Sequence, residues 1–423
     1  MRNAVDEQVP AIVVGRGFTA LGALRSLHLA GIPGYVACAA GDIATRSRLY
    51  RQTPGQRAWR GELGSVAEEM LAAMPVREAV LIPAADDAAL WASQCPASLG
   101  DRFHVSTSSR QTLDILQDKA RFGAWLAAND IPHPRTYAVE SEADIGAIPF
   151  AEIEKVFMKP VDSQRFSQTL GIKALWARDR AEFDVQWQKL QRHDLRVMAQ
   201  EYIPGGVDDH YFIDGFRDRE GNYPGLFARR RRRIYPPDFG NSSYCESIPL
   251  VDVEGAWESL SRMLSALQYR GIFSAEFKRD ARDGKFKILE VNTRAWWYVE
   301  FAARCGVNVC EMAFHDARGL PAPPAQHYRL GVGSVNFSGD LKTIWMSRRA
   351  ARDPLWRVLR QWLHAYFLVF RLGDPWPGLV LARTAVFNML RNRIPGLFRQ
   401  RRATSGASPA RVGGVTGAVE REP

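Results

Sequence analysis

The stretch Phe273–Arg294 constrains this chain more than any other. It reads as a β-hairpin, with the turn residues Asp283-Gly284 between two runs of strand-like alternation. Residues two apart on a strand share a face, so Glu290 and Asn292 project together. A chain folded back at Gly284 returns Glu276 beside them. Two carboxylates and an amide oxygen are hard oxygen ligands, the set that Mg²⁺ (or Mn²⁺) takes when it also holds nucleotide phosphates. Arg294 follows as a phosphate partner. The bland alternative is an exposed acidic hairpin. Against it stands Asn292, a poor strand residue between Val291 and Thr293 unless it binds something.

The rest of the chain sets bounds. Its 423 residues leave room for two or three domains, and 46% hydrophobic content supplies an ordinary core. Five cysteines are scattered without a CxxC pair, which points away from zinc sites and disulfide frameworks and toward a reducing cytosol. The polar N-terminus does not read as a signal peptide, and no apolar run reaches the roughly 18 residues of a membrane span. The eight histidines show no ligand spacing, and no Ser/His/Asp or Cys/His set stands out. The net charge of +10 is concentrated after residue 340 and in the run Arg229–Arg233.

Near the N-terminus, an apolar strand pattern at residues 10–15 runs into the glycine turn Gly15-Arg-Gly17 and a leucine-rich helix. Further strand patterns at 35–39 and 79–83 predict a doubly wound α/β (Rossmann-like) domain over residues 1–112. The turn also fits G-x-G-x-x-G/A, with Asp42 at the distance of a ribose-binding acid, so dinucleotide binding stands beside a purely structural tight turn. Residues 112–128 read as one amphipathic helix.

The hairpin resembles the metal-binding strands of ATP-grasp ligases, which end in an acid, an apolar residue, Asn, one further residue and Arg. Three other stretches follow in the family's order: Asp118-Lys119 before Ile131-Pro-His-Pro-Arg-Thr136, Val156-Phe-Met-Lys159-Pro160, and Gln200-Glu201-Tyr202-Ile203. The resemblance covers roughly residues 10–320. It implies an ATP-grasp domain over residues 113–325, with a small α+β lobe at about 130–200 and a large lobe at about 201–325. Its N-terminal partner domain then helps form the acceptor site and binds no dinucleotide. It further implies that ATP is held by Lys119, Lys159, the loop from Ser163 to Lys173, the adenine hinge Glu201-Tyr202-Ile203 and a ribose-binding Asp208, with Asp209 as competitor. Mg²⁺ falls to Glu276, Glu290 and Asn292, and charge stabilisation to Arg294. The loop departs from the family in keeping only Gly171. The implied reaction activates a small-molecule carboxylate as an acyl phosphate for capture by an amine. An ATP-binding protein without ligase turnover is the alternative.

Five arginines in a row at 229–233 suggest nucleic acid when taken alone. Strand-like flanks instead place Arg230 and Arg232 toward the phosphates, with no nucleic-acid partner expected. The opposite phase, with Arg229, Arg231 and Arg233 inward, is equally allowed by the sequence. Trp296, Trp297 and Tyr298 are either pocket wall or core. Residues 326–400 are basic and aromatic and predict a helical C-terminal region, with one helix from Pro354 to Leu372. Residues 341–400 would either touch a membrane peripherally, on its inner face, or cap the catalytic body. Residues 401–423 have the composition of a disordered tail.

Overall fold

The computed structural model describes residues 9–53, 63–94, 97–160, 163–170, 175–236, 240–346 and 353–393. The expected tail 401–423 lies outside them. The chain divides into two units, Met1–Pro377 and Gly378–Pro423. The second is described to residue 393, where it is helical.

Four strands, β1 (Ala11–Gly15), β2 (Gly34–Ala37), β3 (Ala79–Ala84) and β4 (Phe103–Val105), form a parallel sheet in the order β2-β1-β3-β4. Helices cross between them, which explains why β3 is buried along its whole length. The glycine turn is required by packing: a Cβ at Gly15 would lie 2.8 Å from Ala84. Asp42 is spent locally. Its Oδ2 accepts the Gly17 N–H at 2.8 Å and its Oδ1 the Ala44 N–H at 2.9 Å. The tight-turn reading therefore accounts for both glycines and the acid, and the ribose role for Asp42 is withdrawn.

The single helix expected over 112–128 is two, Arg110–Gln117 and Lys119–Ala128. Asp118 adopts extended backbone between them and caps the second, accepting the Ala120 and Arg121 N–H groups at 2.9 Å each.

A small antiparallel sheet follows, in the order β5-β8-β6-β7: β5 (Thr136–Val139), β6 (Val156–Pro160), β7 (Leu175–Ala177) and β8 (Val197–Glu201). Its core holds Met158, Phe166, Phe183 and Leu190. The larger sheet has seven strands in the order β13-β12-β9-β10-β11-β14-β15. These are β9 (His210–Arg217), β10 (Gly225–Tyr235), β11 (Asn241–Ile248), β12 (Gly271–Arg279), β13 (Phe286–Asn292), β14 (Gly333–Val335) and β15 (Tyr366–Phe367). One face packs Phe273, Phe277 and Ile288 against Leu260, Met263 and Leu264 of the helix Glu254–Ala266. The opposite face carries the polar side chains of the candidate site.

The helix expected from Pro354 to Leu372 stops at His364. Ala365 turns extended, and Tyr366 and Phe367 join the large sheet beside Ser334 and Val335. Burial drives this, with Phe367 against Phe337 and Tyr366 against Phe301. Asp374 then docks on the first helix of the chain, Gly17–Leu29, through Arg25. Through residue 374 the C-terminal region is thus a cap on the body. Among the described residues, no helix is long and apolar enough to cross a membrane.

Candidate functional site

A cleft of about 230 Å³ lies between the small sheet and strand β13. Lys119, Lys159, Gln200, Glu290 and Asn292 line it. The cap at Asp118 starts the helix that presents Lys119, whose Nζ donates to Pro160 O at 3.1 Å. Lys159 enters from β6. On the other side, Glu276 of β12 pairs directly with Glu290 of β13, and Ser274 with Asn292. A register shift after Glu276 absorbs Leu289. That shift sets Glu290 opposite Glu276, so the two carboxylates share one face with Asn292, two residues on from Glu290. The turn is longer than two residues, spanning Asp280 to Lys285, with Gly284 at φ 72°.

Like charges directly opposite on neighbouring strands cost free energy. The effect is visible at Glu290, whose carboxyl is pushed up by its crowded setting and by the charge of Glu276, with Lys159 pulling it back. Burial also opposes ionisation of Glu276. Arg231 at 3.0 Å and His210 Nδ1 at 2.8 Å outweigh that and hold it well below the usual carboxylate range. Burial lowers both lysines, and Glu290 raises them. Asn292 Nδ2 donates to Glu290 Oε1 at 3.2 Å, which leaves its carbonyl oxygen free as a further ligand atom. Two carboxylates in register and an amide oxygen fit a hard divalent cation, which would relieve their repulsion. Among the described residues no three His, Cys, Asp or Glu side chains gather as a metal cluster, so the set depends on the amide.

No family model matches the chain. The D-aspartate ligase of Enterococcus faecium (strain Aus0004) is 22% identical over 245 residues, 56% of this chain and 58% of that protein. The chain thus spans under two thirds of that relative's length. The N5-carboxyaminoimidazole ribonucleotide synthetase of Thermus thermophilus superposes with a TM-score of 0.56 at 13% identity, over 75% of this chain and 81% of that one. The biotin carboxylase domain of Hydrogenobacter thermophilus 2-oxoglutarate carboxylase, in complex with MgADP, ADP and bicarbonate, gives 0.58 at 14% identity, over 77% and 73%. Anaerococcus prevotii phosphoribosylglycinamide synthetase gives 0.56 at 11%, over 77% and 79%. This chain has the ATP-grasp fold.

Within the ATP-grasp frame, the arginine run takes the phase opposite to the one expected. Glu276 pairs with Phe212 across β9, and Phe212 with Arg229 of β10. Arg229 and Arg231 therefore share the face of Glu276, while Arg230 pairs with Tyr211 on the other. Arg230 is held by Asp208, through its backbone oxygen and a 3.5 Å ion pair, and Arg232 by Glu246 at 2.9 Å. Neither Arg230 nor Arg232 reaches the cleft face. Arg229, Arg231 and Arg233 are buried against Asp214, Glu276 and Asp340. Arg231→Met strips Glu276 of its cation and lowers stability by about 3 kcal/mol. Arg230→Met, with a half-exposed partner, costs under about 1 kcal/mol. Urea unfolding of the two variants checks the difference.

Asp208, the expected ribose acid, is half-exposed with its carboxylate 3.5 Å from Arg230. Asp209 accepts the Gly206 N–H at 2.7 Å. The Glu201 side chain joins Arg282 at 2.8 Å and Arg135 at 3.4 Å, tying the small sheet to the hairpin turn. The Glu201 and Tyr202 N–H groups donate to the carbonyls of Arg135 and Lys155. Ile203, the third residue of the expected hinge, is buried. Ser163 opens a helix, Ser163–Leu170, where a loop was expected. Lys173 lies outside the described residues. Arg294 makes a two-pronged ion pair with Asp86 at 2.8 and 3.0 Å, and Asp86 borders the cleft. Trp296 and Tyr298 are core, while Trp297 packs edge-on to Phe18.

Two groups escaped the sequence. His210 reaches Glu276 only because β9 and β12 are neighbours, a long-range pairing with no spacing signature. Lys278 sits opposite His210 on the same face, 4.4 Å above the Tyr202 ring. Burial pulls its ammonium down to about 8, with Asp209 opposing. The native state thus holds this proton less tightly than the unfolded chain, so the penalty is full below about pH 8 and fades as pH climbs to the usual lysine range. Lys278→Met accordingly raises the unfolding midpoint at neutral pH, and the gain shrinks steadily between about pH 8 and 10. Thermal scans across that range measure it.

Proposed function

We propose that this protein is an ADP-forming ligase that joins a small-molecule carboxylate to an amine at the expense of ATP. The observation that carries the reading is Glu290 and Asn292 facing Lys119 and Lys159 across a narrow cleft, with Glu276 paired in register to Glu290. A bound Mg²⁺, held by those three oxygen-bearing side chains, would neutralise part of the triphosphate. The chain's own groups do the remainder. Lys119 and Lys159 attract the phosphate oxygens as point charges. Arg231 and His210 fix the Glu276 carboxylate in its ionised form. Arg294, anchored on the cleft residue Asp86, would pair with the substrate carboxylate. That carboxylate attacks the γ-phosphorus, the bond to the β–γ bridging oxygen breaks, and ADP leaves. The amine then adds to the acyl carbon of the acyl phosphate and expels inorganic phosphate with loss of a proton. Charge spreads over the transferred phosphoryl oxygens, so positioning and cations supply most of the acceleration. The name of the D-aspartate ligase relative makes an amino-acid carboxylate the first substrate class to try.

The test uses ¹⁸O-labelled carboxylates with an amine panel. The reading requires one label oxygen in the released phosphate. ATP binding with no ADP release on any pair would instead make the chain a nucleotide-binding protein without turnover.

We also propose peripheral membrane contact through residues 341–400, on the inner face. Its support is the row of exposed tryptophan and leucine side chains there, among them Trp345 and Leu363.

A further inference from the structure

A second cleft, of about 740 Å³, shares no residue with the nucleotide cleft. Its apolar wall is Leu29, Leu49, Phe367, Phe370 and Leu372. Its polar wall is cationic: Arg25, Arg48, Arg304 and Arg371, with Asp374 as the acid among the lining residues. Three of these guanidiniums are shared between two buried carboxylates, Glu300 and Asp374, at 2.7 to 3.3 Å. Positive charge is therefore in excess even before the exposed Arg48 is counted. A site that is greasy on one side and guanidinium-rich on the other fits an anionic amphiphile.

The neighbouring helices present the same chemistry. Phe337–Met346 exposes Phe337, Leu341 and Trp345, and Leu355–His364 exposes Leu355, Leu359 and Leu363, each at four-residue spacing along one face. Phe337 joins these stripes to the cleft, with its ring 4.9 Å from Trp362 and 5.7 Å from the cleft residue Phe367. Lys342, Arg357 and Arg360 stand between the apolar positions. A second copy of a chain with net charge +10 would set cations against cations here, whereas an anionic bilayer satisfies both the apolar and the charged groups.

We propose that this face docks on an anionic lipid bilayer and that the cleft seats the phosphate head and first methylenes of one of its lipids. The proposal rests on the membrane reading above and is independent of the ligase chemistry.

The test is flotation of the full chain with phosphatidylcholine vesicles, with and without phosphatidylglycerol. Three surface variants are compared: Leu363→Glu on the helix stripe, and Leu372→Glu and Arg48→Glu in the cleft. Leu363 and Leu372 are 83% and 91% exposed, so these changes leave the fold alone, and thermal unfolding verifies that. Wild type should float only with phosphatidylglycerol, and each variant should bind about tenfold more weakly. Wild-type binding matched by Leu372→Glu and Arg48→Glu, with Leu363→Glu impaired, overturns the lipid cleft and leaves the membrane reading standing. Absence of wild-type flotation, or equal flotation on phosphatidylcholine alone, overturns both. So does a dimer in sedimentation that Leu363→Glu abolishes. Thermal stabilisation by glycerol phosphate matching that by vesicles assigns the cleft to a soluble anion and overturns the lipid proposal.

Discussion

Replacing Glu290 by glutamine should cut ADP release by about two to three orders of magnitude, the scale of losing one preorganised charge-stabilising group. The substitution keeps the shape of the side chain and removes only its charge. It also removes the like-charge opposition to Glu276 that pushes the Glu290 carboxyl up. An acid whose folded pKa is raised carries its penalty at and above its folded range and loses it on acidification. The nucleotide-free variant should therefore unfold no earlier than wild type at neutral pH, and its advantage should disappear as pH falls through the carboxylate range. Lost turnover with equal or better apo stability is the signature of a ligand-binding carboxylate. A structural carboxylate would lose stability along with activity. Steady-state ADP release and thermal scans on one preparation read both.

Asp374→Ala should be the most destabilising single change in the chain's C-terminal region, at about 3–5 kcal/mol. Asp374 is 4% exposed. It accepts from Arg25 Nε and Nη2 at 3.0 and 2.8 Å, from Ser47 Oγ at 2.7 Å and from the Arg48 N–H at 2.8 Å. Alanine leaves the buried Arg25 with Glu300 as its remaining carboxylate, beside the backbone oxygens of Val369 and residue 374, and Glu300 already serves Arg304 and Arg371. The same truncation at Asp353, which is more exposed and holds Arg233 only as a second partner, should cost under about 1 kcal/mol. Urea midpoints of the two variants give the contrast.

These two sites differ in how far the sequence reveals them. The hairpin is legible because strand alternation is local and sets Glu290 and Asn292 on one face, but a two-residue turn at Asp283-Gly284 would set Val291 opposite Glu276, and only the longer turn and the register shift at Leu289 bring Glu290 there. The lysines were legible through resemblance, and Asp118 explains the position of Lys119 by capping its helix. The arginine phase was not legible. Five identical residues contain no alternation to read, and β10 carries register shifts around Arg231 and Arg233. The sequence therefore does not distinguish Arg230 and Arg232 from Arg231. The strand Tyr366–Phe367 was hidden for a different reason. Two residues inside a continuous aromatic and basic run keep helical periodicity, and only the distant partner Ser334–Val335 makes them a strand. Asp208 and Asp42 show the limit of spacing arguments. Each stands at the right separation for a ribose, and spacing cannot show that Asp42 is bound to the Gly17 and Ala44 amides or that Asp208 lies 3.5 Å from Arg230.

The account stands on Glu276, Glu290 and Asn292 acting together on a nucleotide-bound divalent cation. Electron paramagnetic resonance of Mn²⁺ titrated with a non-hydrolysable ATP analogue tests this without reference to turnover. The account predicts a bound Mn²⁺ signal that requires both wild-type protein and nucleotide, and that is lost in Glu290→Gln. A Glu290→Gln signal equal to wild type, or Mn²⁺ binding indifferent to nucleotide, would contradict it.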